Sequence, residues 1–561
     1  IYTLSLHDAL PIWSAQAVIQ SAKRPTDSQD LPKTLIRVMD DLLEGISGQE
    51  IKKVVLSTTL ITNLIATGET KQIAVLLLPG AGLPCSAFAL FPNCYFLKGG
   101  VDFRGQVVEK LDRAEVENTI RQLASSGCKK FVIAGKFSNR NDQLVKEIEN
   151  KILVAIPEAS VLLDNETAGQ LNFMRRIATA FYSMYALEPW QEFARAMDTA
   201  LTTKGIHADI DILKADGGTT PLPNSLKNPC ETIFSGPAAS VMGGMALNQS
   251  EKNAIVLDIG GTTSDIALLI DGRPLYASRG ASINQKLTHI RSFSVSSLAL
   301  GGDSPISIIN GQPAIQSIRQ GPALCFGGKQ ATITDVFNVS EKLDLGKADA
   351  SRSGIQTLAQ VCGRTEDEIV SSIVTQVLDR LEQAIHNMFE QWRDEPAYKV
   401  WEITHGKTFA PTTIIGIGAA SSAIITKLAA RMRVKASFHK YSPIANALGA
   451  ALARPTADMR LHADTARQFY TVDPGHGKQQ HKFKWDTQLD DIKQLAEQEF
   501  LNLTQQIGVE KYFAYREFYK TEQFNIIRGW DTEGKIFDVG LQITPGIIAD
   551  QIGRASCRER V

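Results

Sequence analysis

Residues 254–270 read AIVLDIGGTTSDIALLI, and the rest of the chain is organised around this stretch. An apolar run leads into Asp258, two glycines and two threonines occupy 260–263, and Asp265 precedes a second apolar run. This pattern predicts a strand, a tight glycine turn and a return strand. An ordinary hairpin with a loose Gly-Gly turn would also produce it. The flanking aspartates and the strands on both sides favour a site for magnesium-bound phosphate instead.

The residue types in this turn suit phosphate chemistry. Glycines have no Cβ, so backbone N–H groups can approach phosphate oxygens closely. Threonine hydroxyls can donate to the same oxygens, and carboxylates can hold Mg²⁺ through its water ligands or orient an attacking water. We therefore predict Asp258 and Asp265 as catalytic residues, with Asp258 also the metal ligand. The predicted nucleotide-binding residues of the turn are Gly260, Gly261, Thr262 and Thr263.

Two further glycine-rich stretches are candidates for the same nucleotide site. Gly301 and Gly302 lie in a loop that reads LGGDS from residue 300. A strand predicted at 413–417 contains Gly416, is followed by Gly418 and leads into a helix. A strand, a glycine turn and a helix N-terminus together form a place where a nucleotide can bind. Small-residue helices are also predicted, at 235–245 and 446–451; their close packing suits a domain hinge or simply a tight core.

Alternating helix and strand patterns before the central stretch predict a mostly parallel sheet with covering helices. The clearest elements are strands at 53–56, 73–78, 130–134 and 160–163 and helices at 114–126 and 142–155. After the first of these strands, hydroxyl and amide side chains form either a ligand-facing strand–helix junction or plain helix capping. The candidate substrate residues there and in two later loops are Thr58, Thr59, Asn63, Asp216 and Asp335.

The two ends of the chain do not resemble natural protein sequence. Residues 1–12, IYTLSLHDALPI, and residues 552–561, IGRASCRERV, resemble the translated ends of a sequencing adapter. We exclude both stretches from the fold prediction, as is done for other sequence that does not belong to the natural protein. The natural segment is therefore expected to run from about Trp13 to Gln551 and to be truncated at its start.

Composition limits the classes of function. The 561 residues carry a formal net charge of −1 at pH 7, which gives no electrostatic reason to expect nucleic acid or a membrane surface as a partner. No apolar run approaches the roughly 20 residues of a membrane span. Of the seven cysteines, Cys557 lies in the excluded C-terminal end and the other six form no C-x-x-C pair. A reduced, cytoplasmic protein is therefore expected.

The order of these motifs resembles the actin-like ATPase superfamily. In that superfamily two α/β domains of ribonuclease H-like fold close on ATP, and two small-residue helices cross at the hinge between them. Several stretches are closer still to the hydantoinase/oxoprolinase family, which includes A-type subunits of N-methylhydantoinases, 5-oxoprolinases and ketone carboxylases. These stretches are VVLSTTLITNLIATGE from residue 54, LKADGGTTP from 213, IFSGPAASVMGG from 233, LDIGGTTSDIALL from 257 and ITD from 333.

The resemblance implies a fold, cofactors and an activity. It implies two α/β domains around a nucleotide cleft, ATP and Mg²⁺ as cofactors, and ATP-dependent hydrolysis of a cyclic amide or imide, of the hydantoin or 5-oxoproline type, through carbonyl phosphorylation. The alternatives are a ketone carboxylase subunit or a non-enzymatic actin-like ATPase that reactivates or activates another enzyme. Implied partners are a B-type hydantoinase subunit and further copies in an oligomer.

The resemblance also suggests domain boundaries and shows two departures from the family pattern. The expected units are an N-terminal domain at 13–210, an ATPase domain at 211–456 and a partial C-terminal segment at 457–551. Family members begin with their own Asp-x-Gly-Gly-Thr hairpin, which would fall just before Trp13 and is missing here. Asp303 stands where many members have a third glycine, so membership of the best-known oxoprolinase branch is in doubt.

Overall fold

The structure is a computed structural model that describes residues 2–6, 9–14, 17–23, 31–67, 72–247, 252–394, 410–418, 421–474, 479–528 and 531–548. Its strands are β1 (Tyr2–Leu6), β2 (Ala9–Ser14), β3 (Ala17–Lys23), β4 (Ile51–Leu56), β5 (Ile73–Leu78), β6 (Cys94–Phe96), β7 (Gly100–Val101), β8 (Val107–Glu109), β9 (Lys130–Gly135), β10 (Ser160–Leu163), β11 (Asp209–Leu213), β12 (Thr219–Pro221), β13 (Ala254–Ile259), β14 (Ser264–Ile270), β15 (Arg273–Pro274), β16 (Ser282–Ile283), β17 (Lys286–Leu287), β18 (Val295–Leu298), β19 (Ile306–Ile309), β20 (Gln312–Ile315), β21 (Thr413–Ile417), β22 (Lys435–Ser437), β23 (Asp458–Asp464), β24 (Phe469–Asp473), β25 (Gln479–Gln480), β26 (Arg516–Arg528) and β27 (Asp531–Ile543).

Helices cover these strands and connect them. They are α1 (Leu31–Leu42), α2 (Leu60–Thr67), α3 (Arg113–Ser125), α4 (Gln143–Ala155), α5 (Asp164–Thr167), α6 (Phe173–Thr203), α7 (Leu222–Ser225), α8 (Ser235–Leu247), α9 (Ile333–Ser340), α10 (Ala348–Cys362), α11 (Glu366–Asp394), α12 (Ser421–Met432), α13 (Ala445–Leu452) and α14 (Leu489–Gln506). Among the described residues, no helix combines the length and the apolar character that crossing a membrane requires.

Two of the sheets repeat one topology. The first has the order β12-β11-β4-β1-β2-β3, and the third has the order β15-β14-β13-β21-β22. In each sheet, three antiparallel strands form a meander. Two further strands continue the sheet on the side of the meander's first strand and run parallel to that strand. They are β4 and then β11 next to β1, and β21 and then β22 next to β13. The prediction of a mixed α/β, actin-like fold is confirmed, with β13 and β14 as neighbours in one sheet.

The other two large sheets flank this pair. The second sheet, β10-β9-β5-β6, is parallel throughout, as the alternating pattern predicts. Helix α6 packs its apolar side chains between this sheet and the first one, and helices α3 and α4 cover the sheet's other face. The fourth sheet, β25-β24-β23-β27-β26, is antiparallel and packs against α14. Its strands lie between Asp458 and Ile543, inside the C-terminal segment at 457–551, whose boundaries stay a prediction.

The sheets divide the chain differently from the predicted boundaries in one place. A boundary between 210 and 211 would cut β11, which pairs with β4 and belongs to the first sheet. That sheet ends with Pro221 of β12, and the third begins with Ala254 of β13. The change from one sheet to the next therefore lies in 222–253, which contains α8.

The excluded N-terminal residues occupy a place in the first sheet. The backbone of β1 pairs in parallel with β4 and antiparallel with β2, so Tyr2–Leu6 and Ala9–Ser14 form a hairpin at the position that β13 and β14 hold in the third sheet. Residues 7 and 8, which separate these two strands in the sequence, and residues 552–561 lie outside the described residues. That residues 1–12 are adapter-derived stays a prediction.

The two small-residue helices cross in close backbone contact between the two repeated sheets. A Cβ at Gly243 of α8 would overlap the carbonyl oxygen of Ala445, and a Cβ at Gly449 of α13 would overlap that of Ala239. Apolar residues of α8 and α13 share one core cluster with Val55 and other residues of both sheets. The helices can approach this closely only because the contact positions lack side chains.

We predict that Gly449→Ala lowers the melting temperature by several degrees. Alanine favours a helix over glycine by about 1 kcal/mol, but the overlap with the Ala239 carbonyl must push two backbones apart, at a cost of about 1–3 kcal/mol or more. Thermal unfolding of the purified variant measures the change.

Gly354→Ala is the matched control. Gly354 also lies inside a helix, α10, but an added Cβ there meets mainly the mobile Cδ1 atom of the Leu324 side chain. The Gly354→Ala variant should melt at or above the wild-type temperature. If Gly449→Ala were as stable as this control, the glycine contact would not determine how closely the helices pack.

Candidate functional site

Asp258 and Asp265 lie opposite each other near the tip of the β13–β14 hairpin. The two residues are register partners in the antiparallel ladder, so their side chains project from the same face of the sheet. Further down the hairpin, Val256 and Ala267 project from that face into the core around α8 and α13. The face thus changes from apolar to acidic where it reaches the turn, and two like charges are placed side by side.

Asp258 is held by one donor from each small-residue helix. Its Oδ2 atom accepts hydrogen bonds from Ser240 Oγ of α8 at 2.6 Å and from Asn446 Nδ2 of α13 at 3.2 Å. Its orientation is therefore tied to the helix crossing. A simple hairpin aspartate would be expected to accept from N–H groups of its own turn, and the two long-range donors argue against that interpretation.

Asp265 carries an unsatisfied carboxylate oxygen. Its Oδ1 atom is buried and has no hydrogen-bond partner among the described residues. Burial raises the pKa of Asp265 to about 6, the neighbouring Asp258 carboxylate acts in the same direction, and a hydrogen bond with Ser297 opposes both. A buried acceptor without a donor is costly, and a cation with its waters would satisfy it.

The glycine turn is anchored through its carbonyl groups. The carbonyl oxygens of Gly260 and Gly261 accept hydrogen bonds from the amides of Gly302 and Asp303, at 2.9 and 2.7 Å. Within the described part of the chain, no group accepts a hydrogen bond from the amides of Gly261, Thr262 or Thr263. Gly260, Gly261, Thr262 and Thr263 are all exposed. The turn therefore presents amides and hydroxyls outward, which is what an anion requires.

The predicted residues Gly301 and Gly302 lie directly against the turn. A Cβ at Gly301 would overlap the Gly261 carbonyl, and one at Gly302 would come within 2.6 Å of Thr334 Oγ1. The adjacent Asp303 carboxylate would lie 2.8 Å from a Cβ on Gly261, and it pairs with Arg319 Nη2 at 2.7 Å. This ion pair places an arginine beside the turn.

Gly416 in β21 and Gly418 directly after it occupy different environments. Gly418 has φ +95°, a conformation that favours glycine, and a Cβ there would lie 2.5 Å from the Ile259 carbonyl and 3.3 Å from Asp258 Oδ1. It therefore lies at the predicted site. Gly416 is buried, and a Cβ would meet the Phe438 ring at 2.5 Å and Ile425 at 2.8 Å. What surrounds Gly416 is core packing, so the structure does not bring it to the turn.

Helix α8 connects the glycine turn to the predicted junction after β4. Ser235, its first residue, donates to the Thr58 carbonyl at 2.9 Å, while Ser240 donates to Asp258. Five residues of helix span about 7.5 Å, so the two places are close together. Thr58 Oγ1 accepts from Leu60 N at 3.1 Å, and Asn63 Nδ2 donates to Thr59 Oγ1 at 3.3 Å. Local capping is therefore present in a loop that also borders the site.

The predicted substrate role of Asp335 is wrong on the geometry. The residue is fully buried, and it accepts hydrogen bonds from the amides of Leu324, Cys325 and Thr332 and from Thr332 Oγ1 and Ser351 Oγ, at 2.6–3.1 Å. These donors fill its acceptor sites and form the capping box of α9. The carboxylate holds several loops together and leaves no lone pair for a ligand.

Asp216 is likewise occupied. Its Oδ1 accepts from the Gly218 amide at 2.9 Å and its Oδ2 from Thr456 Oγ1 at 3.0 Å, with the Lys214 ammonium at 3.5 Å. Although burial acts in the opposite direction, the Lys214 charge and these hydrogen bonds lower the pKa of Asp216. The carboxylate joins the first sheet to the segment before β23, and its substrate role stays a prediction.

The residues at the turn fit a magnesium-bound phosphate. The described residues contain no group of three or more His, Cys, Asp or Glu side chains that could hold a metal ion by themselves. Mg²⁺ commonly uses only one or two carboxylates, together with waters and substrate phosphates. Asp258 and the unsatisfied oxygen of Asp265 supply that set, and the outward amides of the turn supply the phosphate contacts.

Three residues of this site escaped prediction from the sequence. Ser240 is the polar residue in the interior of α8, whose other serine, Ser235, begins the helix, and Asn446 is the single polar residue of α13. A polar residue inside an otherwise small and apolar helix is the signal that could have identified both. Arg319 lies 16 positions after its partner Asp303, in a stretch without a motif, and no signal indicates it.

Two family models match the chain. The model described as Hydantoinase/oxoprolinase matches residues 176–459, which include the glycine turn and both small-residue helices. The model described as Hydantoinase/oxoprolinase N-terminal region matches residues 7–153, which include the junction at Thr58.

Curated relatives match part of the chain. The acetophenone carboxylase gamma subunit of Aromatoleum aromaticum is 24% identical over 289 residues, which cover 47% of this chain and 39% of that protein. The caprolactamase subunit alpha of Pseudomonas jessenii is 22% identical over 240 residues, which cover 41% of this chain and 34% of that protein. The chain thus spans only 34–39% of the length of these two relatives.

Two solved structures match nearly the whole chain. The ATP-dependent caprolactamase from Pseudomonas jessenii has a TM-score of 0.70 at 16% identity, covering 96% of this chain and 87% of that one. Nucleotide-free acetone carboxylase has a TM-score of 0.68 at 14% identity, covering 97% and 87%. At these sequence identities, the likeness shows a similar fold and nothing further.

We predict that Asp265→Asn stabilises the ligand-free protein near neutral pH. A carboxyl whose pKa rises from 3.8 in the unfolded chain to about 6 in the folded protein stabilises the fold below pH 4, and this contribution is lost as pH rises to about 6. The loss is at most about 3 kcal/mol. An uncharged amide avoids it, so the melting temperature at about pH 7.5 should rise, with a smaller difference at about pH 4.5.

Asp271→Asn serves as the control for this titration. Asp271 is an exposed residue in the turn at the opposite end of β14, with φ +51°, and asparagine tolerates that conformation as well as aspartate does. Its variant should follow the wild-type pH profile. A lower melting temperature for Asp265→Asn at about pH 7.5 would mean that the Asp265 carboxylate is stabilised in the folded state.

Proposed function

Because the chain belongs to the hydantoinase/oxoprolinase family, we propose that it is an ATP-dependent hydrolase that opens a cyclic amide or imide by phosphorylating its carbonyl oxygen. The observation that carries this proposal is the acidic pair at the glycine turn, Asp258 and Asp265, in register and beside outward-facing amides. A turn that binds phosphate between two carboxylates suits phosphoryl transfer.

The residues of the turn take defined roles in the proposed site. The amides and hydroxyls of 261–263 bind phosphate oxygens of ATP, and Gly418 lets the backbone approach Asp258. Asp258 and Asp265 hold Mg²⁺, which when bound supplies positive charge against the phosphates. Arg319, kept beside the turn by Asp303, adds a second positive charge where negative charge develops during transfer.

The chemistry follows from the weakness of an amide as an electrophile. The amide oxygen attacks the terminal phosphorus of ATP, the bond to ADP breaks, and the carbonyl carbon now bears a phosphate leaving group. Water then adds to that carbon and the ring C–N bond breaks, which leaves an acyl phosphate. A second water attacks the acyl phosphate, phosphate departs, and the product is an amino acid or ureido acid. The protein chiefly positions the reactants and neutralises phosphoryl charge.

A ketone carboxylase subunit is the second candidate function. It is favoured by the matches to the acetophenone carboxylase gamma subunit and to the acetone carboxylase beta subunit of Xanthobacter autotrophicus. The same turn would then bind the ATP that phosphorylates either the ketone or the bicarbonate that carboxylates it. Both candidates require other subunits: a B-type hydantoinase subunit is the proposed partner, since the named relatives are themselves subunits.

We predict that Asp258→Asn lowers ATP turnover by a factor on the order of 100 or more while the protein stays folded. The amide keeps the shape and can still accept from Ser240 and Asn446, but the charge that orients Mg²⁺ is gone. The ATPase rate and the melting temperature are measured on one sample. Asp271→Asn, at the other end of the hairpin, should retain wild-type turnover.

A purely structural aspartate would give the opposite result. Loss of stability with unchanged turnover in Asp258→Asn would remove this residue from the site and would withdraw the proposed phosphoryl transfer at the turn.

The substrate class is tested by stimulation of the ATPase. With the partner subunit present, we expect ε-caprolactam, hydantoin or 5-oxoproline to raise the rate of phosphate release severalfold. Stimulation only by acetone or acetophenone with bicarbonate would favour the carboxylase. Turnover that no carbonyl compound changes would favour an ATPase that acts on another enzyme.

A further inference from the structure

A separate cavity lies where three parts of the chain meet. It has a volume of about 260 Å³ and shares no lining residue with the glycine turn or the Gly301–Asp303 loop. The start of α6 contributes Arg175, the loop after β15 contributes Tyr276 and Arg279, and the loop between β17 and β18 contributes Arg291. The fourth sheet contributes Arg460 of β23 and Tyr519 of β26.

Positively charged side chains line the cavity. Four guanidinium groups line it, and none of its described lining residues is an aspartate or a glutamate. Two of the four have aromatic partners: Arg291 lies 5.1 Å from the ring centres of both Tyr276 and Tyr519, and Arg460 Nε donates to Tyr519 Oη at 3.2 Å. Arg175 and Arg279 have no ion-pair partner among the described residues.

Two buried polar atoms in the cavity lack hydrogen-bond partners. Arg175 Nε and Tyr276 Oη are both buried, and neither bonds to any other described group. Burial lowers the pKa of Arg175, and the nearby positive charge of Arg279 lowers it further. Burial raises the pKa of Tyr276, so its hydroxyl remains a donor. Unpaired donors beside two like charges are unfavourable until an acceptor with negative charge arrives.

We propose that this cavity binds a small anion whose carboxylate or phosphate group accepts hydrogen bonds from Arg175 and Tyr276 and is neutralised by Arg279. Guanidinium groups match the oxygens of both anion types. A volume of about 260 Å³ equals roughly nine water molecules at 30 Å³ each, so the ligand has on the order of ten non-hydrogen atoms.

The position of the cavity gives binding a structural consequence. Arg175 belongs to the helix that packs against the first two sheets, Arg279 to a loop of the third sheet, and Arg460 to the fourth. An anion held by these groups adds contacts across three units of the chain. It therefore stabilises the folded state in proportion to the logarithm of its concentration above its Kd.

The test measures binding of sodium succinate and sodium phosphate by calorimetry and by melting temperature, against sodium chloride at equal ionic strength. At least one of the two anions should bind and raise the melting temperature above the chloride reference. Arg279→Gln and Arg175→Gln should each weaken binding about tenfold or more, as expected for losing one charged hydrogen-bonding partner. Arg279 is exposed, so its replacement does not endanger folding.

Two controls make the result specific. Arg195→Gln changes an exposed arginine on the same helix α6, about 30 Å from Arg175, and should bind as the wild type does. Asp258→Asn should also retain binding, which separates this cavity from the proposed phosphate turn. The proposal is overturned if neither anion binds better than chloride, or if binding survives in both cavity variants.

Discussion

Two carboxylates placed side by side at the end of a buried hairpin are the constraint on which the site depends. Asp258 and Asp265 face the same way because the β13–β14 register puts them opposite each other. Such a pair is unfavourable without donors, a proton or a cation. The fold supplies two donors to Asp258, and a proton can be retained on Asp265, whose pKa is raised to about 6. What the pair still lacks is a neutralising positive charge, so the pair indicates a site for a bound cation.

The hydrogen bonds to Asp258 also link the site to the two crossing helices and to the first sheet. Ser240 and Asn446 reach Asp258 from α8 and α13, and those helices meet through Gly243 and Gly449. The first turn of α8 also binds the loop after β4 through Ser235. A change in the helix crossing would therefore move the donors of Asp258 and the border of the first sheet together. This coupling is consistent with the proposed binding of a nucleotide between the two repeated sheets.

Local patterns in the sequence were sufficient to predict most of the fold. Strands β5, β10 and β21 have the bounds that their apolar runs predict, because a strand of a parallel sheet covered by helices has a sequence that is a short apolar run between turn signals. The glycine turn was recognisable because its residues are adjacent in the chain. The environments of Asp216 and Asp335 were not, since Thr456 lies 240 residues from the former and Ser351 lies 16 residues from the latter. The cationic cavity draws on residues from 170 to 519, so only tertiary structure could reveal it.

The proposed function requires that nucleotide phosphate and Mg²⁺ bind at the turn between β13 and β14. A crystal structure of the protein with Mg²⁺ and a non-hydrolysable ATP analogue tests it most directly. We expect phosphate oxygens within hydrogen-bond distance of the amides of 261–263, and Mg²⁺ bound to Asp258 directly or through water. A triphosphate bound elsewhere, with the Asp258–Asp265 pair contacting neither metal nor phosphate, would contradict it.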